Sequence, residues 1–411
     1  MQAGFLCFLV GLAVMIEART QGFWRATLAL CLGSFMVFAN LYISQPLLPM
    51  LAENFNLSAL EASLSFTITT FMLGLSLLFY GPLSDAIGRK WLMLCSMAGA
   101  VFCTFLISQI SDYQHIVILR AIQGFCLGGL PAIAIAYMGD EFATPALTLA
   151  VGFYISGNSL GGIGGRLIGG FMGDWFGWSD AFLFMALLSI VCLIVFVYLL
   201  PDSKQFQPSP LRFKKVFSDL LGHLQNPLLL TAFLISGFNF FIFVNQYTYA
   251  TFLLSQEPYN LSASWLGMLF LTYLSGTLGA AFSGRLTGWL SQPAIMAFGV
   301  CLLILGSGLM LTSSIDWIIT GFLVNAFGFF VAHSNASSWV SHNAKRAKAS
   351  ASSLYLVFYY LGASTGGFYL DIFWRWMGWQ GVIFGSWLIL ALTLGLSLWL
   401  YWYSGRSVSS L

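Results

Sequence analysis

Long apolar runs alternate with short polar turns along this chain, and the turn that organises the rest is Gly81-Pro82-Leu83-Ser84-Asp85-Ala86-Ile87-Gly88-Arg89-Lys90. Asp85, Arg89 and Lys90 stand within six residues of one another, whereas the flanking runs, Ala62 to Tyr80 and Trp91 to Ile110, carry no charge. Such a turn belongs in water, or in protein, at a membrane face. A bilayer core requires about 20 apolar residues per helix, and the runs recur at that length. The pattern predicts helix 1 over about Ala26 to Leu51, helix 2 over Ala62 to Tyr80, helix 3 over Trp91 to Ile110, and helix 4 over Ile116 to Met138. Helix 5 follows over about Ala146 to Met172 and helix 6 over Ala181 to Leu200. After a polar linker come helix 7 (Pro227 to Leu254), helix 8 (Ser264 to Gly284), helix 9 (Pro293 to Ser313) and helix 10 (Trp317 to Val340). Helix 11 (Ser350 to Ile372) and helix 12 (Gly381 to Trp402) complete the set.

Composition narrows the class. Hydrophobic residues make up 59% of the chain and charged ones only 7%, too little charge to cover a soluble domain of 411 residues. The reading is an all-α membrane protein with twelve transmembrane helices. Net charge is +2, with no basic or acidic tract, so nothing points to nucleic acid. The seven cysteines all fall inside apolar runs and read as small membrane residues, not as disulfides or metal ligands. No cofactor or metal is expected.

Residues 2 to 16 form an apolar segment too short for a span, ending at Glu17, Ala18 and Arg19. Residues 1–24 are read as a leader, with 1–14 an extension upstream of a start at Met15, and not as a signal peptide, because a basic leader and a clean cleavage site are missing. The remaining boundaries are 25–200 for a first six-helix bundle, 201–226 for a linker, 227–403 for a second bundle and 404–411 for a tail. Loops retained in the cytoplasm carry excess Lys and Arg. With the N-terminus inside, Arg89, Lys90, the linker's Lys204, Arg212, Lys214 and Lys215, and the loop residues Lys345, Arg346 and Lys348 are all cytoplasmic, while Arg375 alone lies in an outer loop. Both termini are therefore placed in the cytoplasm, in a multi-pass protein of the inner (plasma) membrane.

An internal repeat runs through the chain. Phe38-x-Asn40-x-Tyr42 recurs as Phe243-x-Asn245-x-Tyr247 after 205 residues, and Asn56-Leu57-Ser58-Ala59 recurs as Asn260-Leu261-Ser262-Ala263 after 204. Gly81-x-Leu83 recurs as Gly284-x-Leu286, without the charges. Phe153-Tyr154-x-x-Gly157-x-Ser159-x-Gly161-Gly162 recurs as Phe358-Tyr359-x-x-Gly362-x-Ser364-x-Gly366-Gly367, and Gly177-Trp178 as Gly378-Trp379. Five matches in one order at nearly one spacing imply two six-helix halves of the same orientation. In such a design the solute site lies between the halves near mid-membrane and one half rocks against the other.

At this point the chain resembles the major facilitator superfamily over nearly all its length after the leader. Gly81, Leu83, Asp85, Gly88, Arg89 and Lys90 match that family's signature between helices 2 and 3, and Arg120-x-x-Gln123-Gly124 on helix 4 is similar to its second motif. The glycine run on helix 5 is similar to the motif of proton-driven exporters, with the family's Gly-Pro step replaced by Gly161-Gly162 and its closing Gly-Gly by Gly165-Arg166. Tyr42-x-x-Gln45-Pro46-Leu47-Leu48-Pro49 resembles the bacterial sugar-efflux and drug-efflux branch. The resemblance implies a latch in which Asp85 meets the start of helix 11, near Ser350-Ala351-Ser352, when the inner side is closed. A carboxylate is favoured at a helix N-terminus, Gly81 and Gly88 permit a tight turn, Arg89 can pair with a carboxylate, and Lys90 is expected to face lipid headgroups. The bland alternative is a turn that serves only to orient the chain.

Helix 5 carries Gly157, Gly161, Gly165, Gly169 and Gly173 at four-residue spacing, which lets backbones approach closely in lipid. The expected seam faces the other half, for instance Gly276 and Gly279 on helix 8. Arg120 and Arg166 are the charges inside the spans. Arg166 is expected to snorkel or pair at the outer seam, and Arg120, with Gln123 and Gly124, to serve coupling or an anionic solute group. His333 reads as a packing residue. The carboxylates near proton routes are Asp85 and Asp371. Asn40, Tyr42, Gln45, Tyr154, Asn158, Asn245, Tyr247, Tyr359 and Tyr360 are expected to line a cavity suited to neutral, amphipathic or weakly anionic solutes. The function expected is a monomeric, proton-coupled exporter of small organic molecules, with no enzymatic activity. A symporter or facilitator importing a metabolite shares the same fold signals, and a receptor or lipid-modifying enzyme on this scaffold is the reading from another class.

Overall fold

The computed structural model describes residues 15–408 apart from 212. Residues 1–14, read above as an upstream extension, lie outside the described residues. Eleven helical stretches in the described part are long and apolar enough to cross a membrane, and the last of them is two spans. Lys348–Ser404 contains 57 residues, about 85 Å at 1.5 Å per residue, against a hydrocarbon core of about 30 Å. Gly378, with φ at 59°, breaks it into helices 11 and 12.

The other spans are helix 1 (Gln21–Phe55), helix 2 (Ala59–Ile87), helix 3 (Arg89–Ile107), helix 4 (Tyr113–Glu141), helix 5 (Thr144–Phe176) and helix 6 (Trp178–Leu199). In the second half they are helix 7 (Pro227–Ser255), helix 8 (Ala263–Leu286), helix 9 (Gln292–Leu309) and helix 10 (Ile315–Asn343). Three local departures have sequence causes. Helix 1 tightens into a 3₁₀ turn over Gln45–Leu47, where Pro46 removes a backbone donor. Helix 2 runs through Gly81 and Pro82 to Ile87, so the expected ten-residue turn shrinks to Gly88, whose φ of 111° suits glycine. The linker also holds a helix, Phe213–Leu224, where the sequence reading has only polar chain.

The sequence repeat is a conformational repeat. Asn56 and Asn260 both adopt the left-handed conformation, with φ of 52° and 48°, and Ser58 and Ser262 both stand as N-caps in extended backbone. Ser58 closes a capping box with Glu61. Ser262 turns its hydroxyl elsewhere, as described below. Gly177 and Gly378 both take positive φ between the last two helices of their halves.

Within each half a close seam is made of glycine against backbone. A methyl group added at Gly157, Gly161, Gly165 or Gly169 would sit 2.3–2.6 Å from the carbonyl oxygens of Cys31, Phe35, Ala39 and Ile43 on helix 1. On helix 11, Gly362 and Gly366 meet the Gly237 and Phe241 carbonyls of helix 7 in the same way, at 2.0 and 2.1 Å. The expectation that the helix-5 stripe faces the other half is corrected: it faces helix 1 of its own half, and Gly173 meets Leu47. Gly276 and Gly279 pack on Phe330 and Phe327 of helix 10. Helix 5 meets helix 8 through a neighbouring row, where Gly170 abuts the Ala263 carbonyl and Gly267 the Arg166 carbonyl, at 2.5 and 2.7 Å from an added methyl. Four-residue spacing announces close approach without naming the partner.

Helix 2 and helix 11 form a second contact between halves, with Gly74 against the Tyr360 side chain. We call the side carrying Arg89, Lys90 and the linker the basic face. There Lys90 donates to the Leu200 carbonyl and to Asp202, each at 2.7 Å, which corrects the expectation that it faces lipid. The same lysine holds the Asp202 carboxyl below the usual carboxylate range, by hydrogen bond and then by charge. Residues 15–19 are fixed on this face, since the Ile16 N–H donates to the Glu141 carbonyl at 2.8 Å and the Ile16 carbonyl accepts from Ala143 at 3.0 Å.

Overpacking costs about 1–3 kcal/mol where neighbours cannot move, so Gly161→Ala is expected to lower the unfolding midpoint of detergent-solubilised protein. Gly152→Ala, on the same helix with nothing within 4 Å of the added methyl, is expected to leave it level or raise it slightly. Equal effects would reject the seam as the source of rigidity.

Candidate functional site

Between the halves lies a cavity of about 230 Å³. Helices 7, 10 and 11 give it a laminated aromatic wall: Phe243 stacks on Phe329 with centroids 3.9 Å apart and planes 3° apart, and Phe240 stacks on Tyr359 at 3.7 Å and 12°. His333 continues the first stack at 5.6 Å from Phe329 and shares a 2.8 Å hydrogen bond with the Tyr355 hydroxyl. Helices 1 and 5 face this wall with Tyr42, Asn158, Gly162 and Arg166. Arg166 is the one charged residue among those lining the cavity.

Arg166 is 1% exposed, so it does not snorkel. Its guanidinium lies over the rings of Tyr42, Phe270 and Tyr273 at 3.8, 4.3 and 4.7 Å from their centroids. Nε donates to Gln45 Oε1 at 2.8 Å, Nη1 to the Gly162 carbonyl at 2.9 Å, and Nη2 to the Tyr273 hydroxyl at 3.4 Å. Among the described residues no carboxylate lies within ion-pair distance of it.

Arg120 is placed differently. It is fully buried inside the first half, where Nε donates to the Ser65 carbonyl, Nη1 to the Asn40 carbonyl and Gln123 Oε1, and Nη2 to the Leu41 carbonyl and Ser44 Oγ. All five donors of a guanidinium are thus engaged. Gln123 goes on to donate to Thr104, and Gly124 seats helix 4 on the Thr69 backbone of helix 2. The expectation of a solute contact here is corrected: Arg120 is off the cavity wall, and it ties helix 4 to helices 1 and 2.

The other expected wall residues divide. Tyr42, Asn158, Tyr359 and Tyr360 line the cavity. Asn40, Gln45, Tyr154, Asn245 and Tyr247 do not, and their placement is corrected. Asn40 bonds Ser189 and Thr104 inside the first half, Asn245 bonds the Ala363 carbonyl across the helix 7–11 seam, Tyr247 shares a 2.7 Å hydrogen bond with Thr272, and Tyr154 is buried off the cavity lining. Gln45 stands behind Arg166 and joins it to Thr248 of the second half at 3.2 Å. The sequence reading missed Phe240, Phe243, Tyr273, Phe329 and His333 as wall residues. Phenylalanines are so frequent in this chain that periodicity does not separate lipid-facing from cavity-facing ones.

On the side of Arg166 away from the basic face, the halves are sealed. Asp174 accepts from Ser262 and Ser264 at 2.8 and 2.6 Å, Gly170 abuts Ala263, and Leu48, Leu51 and Ala62 pack on Phe252. Asp371 is buried on the same side, paired with Arg375 at 2.6 Å and bonded by the Tyr249 hydroxyl at 3.4 Å. Toward the basic face the cavity is bounded by Ile155, Ser159 and Thr277, which are exposed. A second cleft, of about 550 Å³, separates Leu77 and Asp85 from Ser350 and Ser353. Asp85 bonds Arg89 at 2.9 Å, Arg89 also pairs with Asp140, and the Ser209 N–H donates to the Asp85 carbonyl at 2.9 Å. The carboxylate of Asp85 thus shares a cleft with the start of helix 11 without bonding it.

Two tightly seamed helix bundles enclosing a cavity closed on one side define a polytopic membrane transporter. The Major Facilitator Superfamily pattern matches residues 30–367, and the chain belongs to that family, whose members are transporters and not enzymes. The chain is 39% identical over 385 residues to the inner membrane transport protein YnfM of Escherichia coli, covering 93% of this chain and 91% of that one. It is 29% identical over 207 residues to the multidrug resistance protein MdtG of Proteus mirabilis, covering 48% and 51%. The crystal structure of a bacterial homolog of the human lysosomal transporter Spinster, in an inward-facing and unoccupied conformation, superposes with a TM-score of 0.72 at 14% identity, over 93% of this chain and 96% of that one.

Arg120→Lys leaves at least two of its oxygen acceptors without a donor, at about 1–3 kcal/mol each. A fall in unfolding midpoint of that order is expected with or without solute present. A variant as stable as the parent would show that the five hydrogen bonds do not hold helix 4.

Proposed function

We propose that this protein exports small organic solutes in exchange for protons, by alternating access, as a monomer in the bacterial inner membrane with the basic face and both termini in the cytoplasm. The observation that carries the reading is the asymmetry about Arg166: the halves are bonded together on one side of the cavity and part on the other. A solute entering from the basic face meets the aromatic wall and stops at the seal. Rocking the halves closes the Asp85 cleft, lets the carboxylate reach the positive N-terminus of helix 11, and opens the Asp174 and Gln45 contacts. Family membership supports transport of small solutes, and the likeness to MdtG supports efflux over half the chain. Asp85 and Asp371 flank the cavity toward its two faces and are the carboxylates through which the proton is proposed to pass.

In proteoliposomes, an imposed proton gradient is expected to move solute against the direction of proton flow. Accumulation of solute together with protons would replace the exporter reading by a symporter. Asp85→Asn is expected to reduce transport at least tenfold while the variant inserts and purifies as the parent does. Undiminished transport would reject the latch.

A further inference from the structure

The transporter reading leaves the solute's chemistry open, and one group in the cavity bears on it. Arg166 is buried and on the cavity wall, yet three of its five N–H groups are engaged by hydrogen bonds. Its partners are an amide oxygen, a backbone carbonyl and a distant phenol, none of them charged. Rings cover the faces of the guanidinium, but a ring face satisfies the cation's π surface and not the donors in its plane. Arg120 provides the contrast within the same bundle, with all five donors engaged. A cation buried in a membrane protein normally finds a partner or marks a solute pathway, and here the open donors belong to a residue of the solute cavity.

We propose that Arg166 receives the anionic group of the transported solute, so that the cavity selects small organic anions with a flat apolar body. A carboxylate is the planar acceptor that two in-plane guanidinium donors fit. The wall opposite is laid out for a flat body: the Phe243–Phe329 and Phe240–Tyr359 pairs are near parallel. No acidic residue lines the cavity to repel an anion, while an organic cation would meet Arg166. The volume, about 230 Å³, lies below the roughly 300–1,000 Å³ of drug-sized sites, which points to an acid of one or two rings. The role also links binding to the cycle, because Gln45 joins Arg166 to Thr248 of the other half. An anion that draws on the guanidinium bears on that bond.

The proposal rests on the transporter reading but is tested by binding, so that the two fail separately. Purified full-length protein is titrated, by thermal shift and calorimetry, with matched pairs of acid and primary amide: benzoate and benzamide, 2-naphthoate and 2-naphthamide, indole-3-acetate and indole-3-acetamide. At least one acid is expected to bind tenfold or more tightly than its amide, the preference falling to near unity in Arg166→Gln and persisting in Arg166→Lys. Should Arg166→Gln not fold, judged by its unliganded melting curve, the acid-to-amide ratio of the parent decides alone. No acid favoured over its amide, or a preference undiminished in Arg166→Gln, overturns the proposal and leaves the transporter reading to the vesicle experiment.

Discussion

Lipid gives apolar helices no hydrophobic reason to associate, so this fold depends on how closely backbones can approach. Helix 5 on helix 1, and helix 11 on helix 7, meet through glycines whose missing side chains let one helix rest on the carbonyls of another. Hydrogen-bonded side chains then fix those pairs against rotation: Ser34 to Asn158 in the first half, Asn245 to the Ala363 carbonyl in the second. Each half is stiff as a result. What remains adjustable lies between them, where Gly170, Gly267 and Gly74 make narrower contacts and the polar bonds are few.

The division of labour between the two buried arginines follows from the same economy of partners. Arg120 spends every donor on oxygens of its own half and so behaves as a clamp. Arg166, eight residues before Asp174 on helix 5, sits where helices 1, 5 and 8 converge on the cavity. Gly162, one turn earlier on helix 5, lines the cavity beside it and lends it a carbonyl.

Much of the architecture was legible in the sequence because its signals are global. Apolar runs of bilayer length gave the spans, and the repeat, read as two like halves, extends in the structure to conformations as local as the left-handed Asn56 and Asn260. The site was less legible, for a physical reason. These helices are apolar on nearly every side, so periodicity does not say which face meets lipid, a neighbour or the cavity, and Asn40, Gln45, Asn245 and Tyr247 were placed on the wall while Phe243 and Phe329 were passed over. Polar side chains in a membrane helix mark places where something needs a hydrogen bond, and here most of those needs are structural. Of the two expectations for Arg166, snorkelling fails because Tyr42, Phe270 and Tyr273 cover it, while pairing at the seam between the halves holds through the Tyr273 hydroxyl of helix 8.

The linker carries a last consequence. Its first part is held to the first half through Lys90, Asp202 and the bond from Ser209 to Asp85, while the helix Phe213–Leu224 docks on the second half, with Leu220 and Leu224 against its core and His223 on the Ala347 carbonyl. The first of those second-half contacts is Leu220, so between the anchorages lie the extended residues after Ser209 and about two turns of helix, a reach of roughly 25 Å. The two bundles are thus tethered across the basic face by a segment of limited length, so the part of the chain with the least regular structure bears on how far that face can gape.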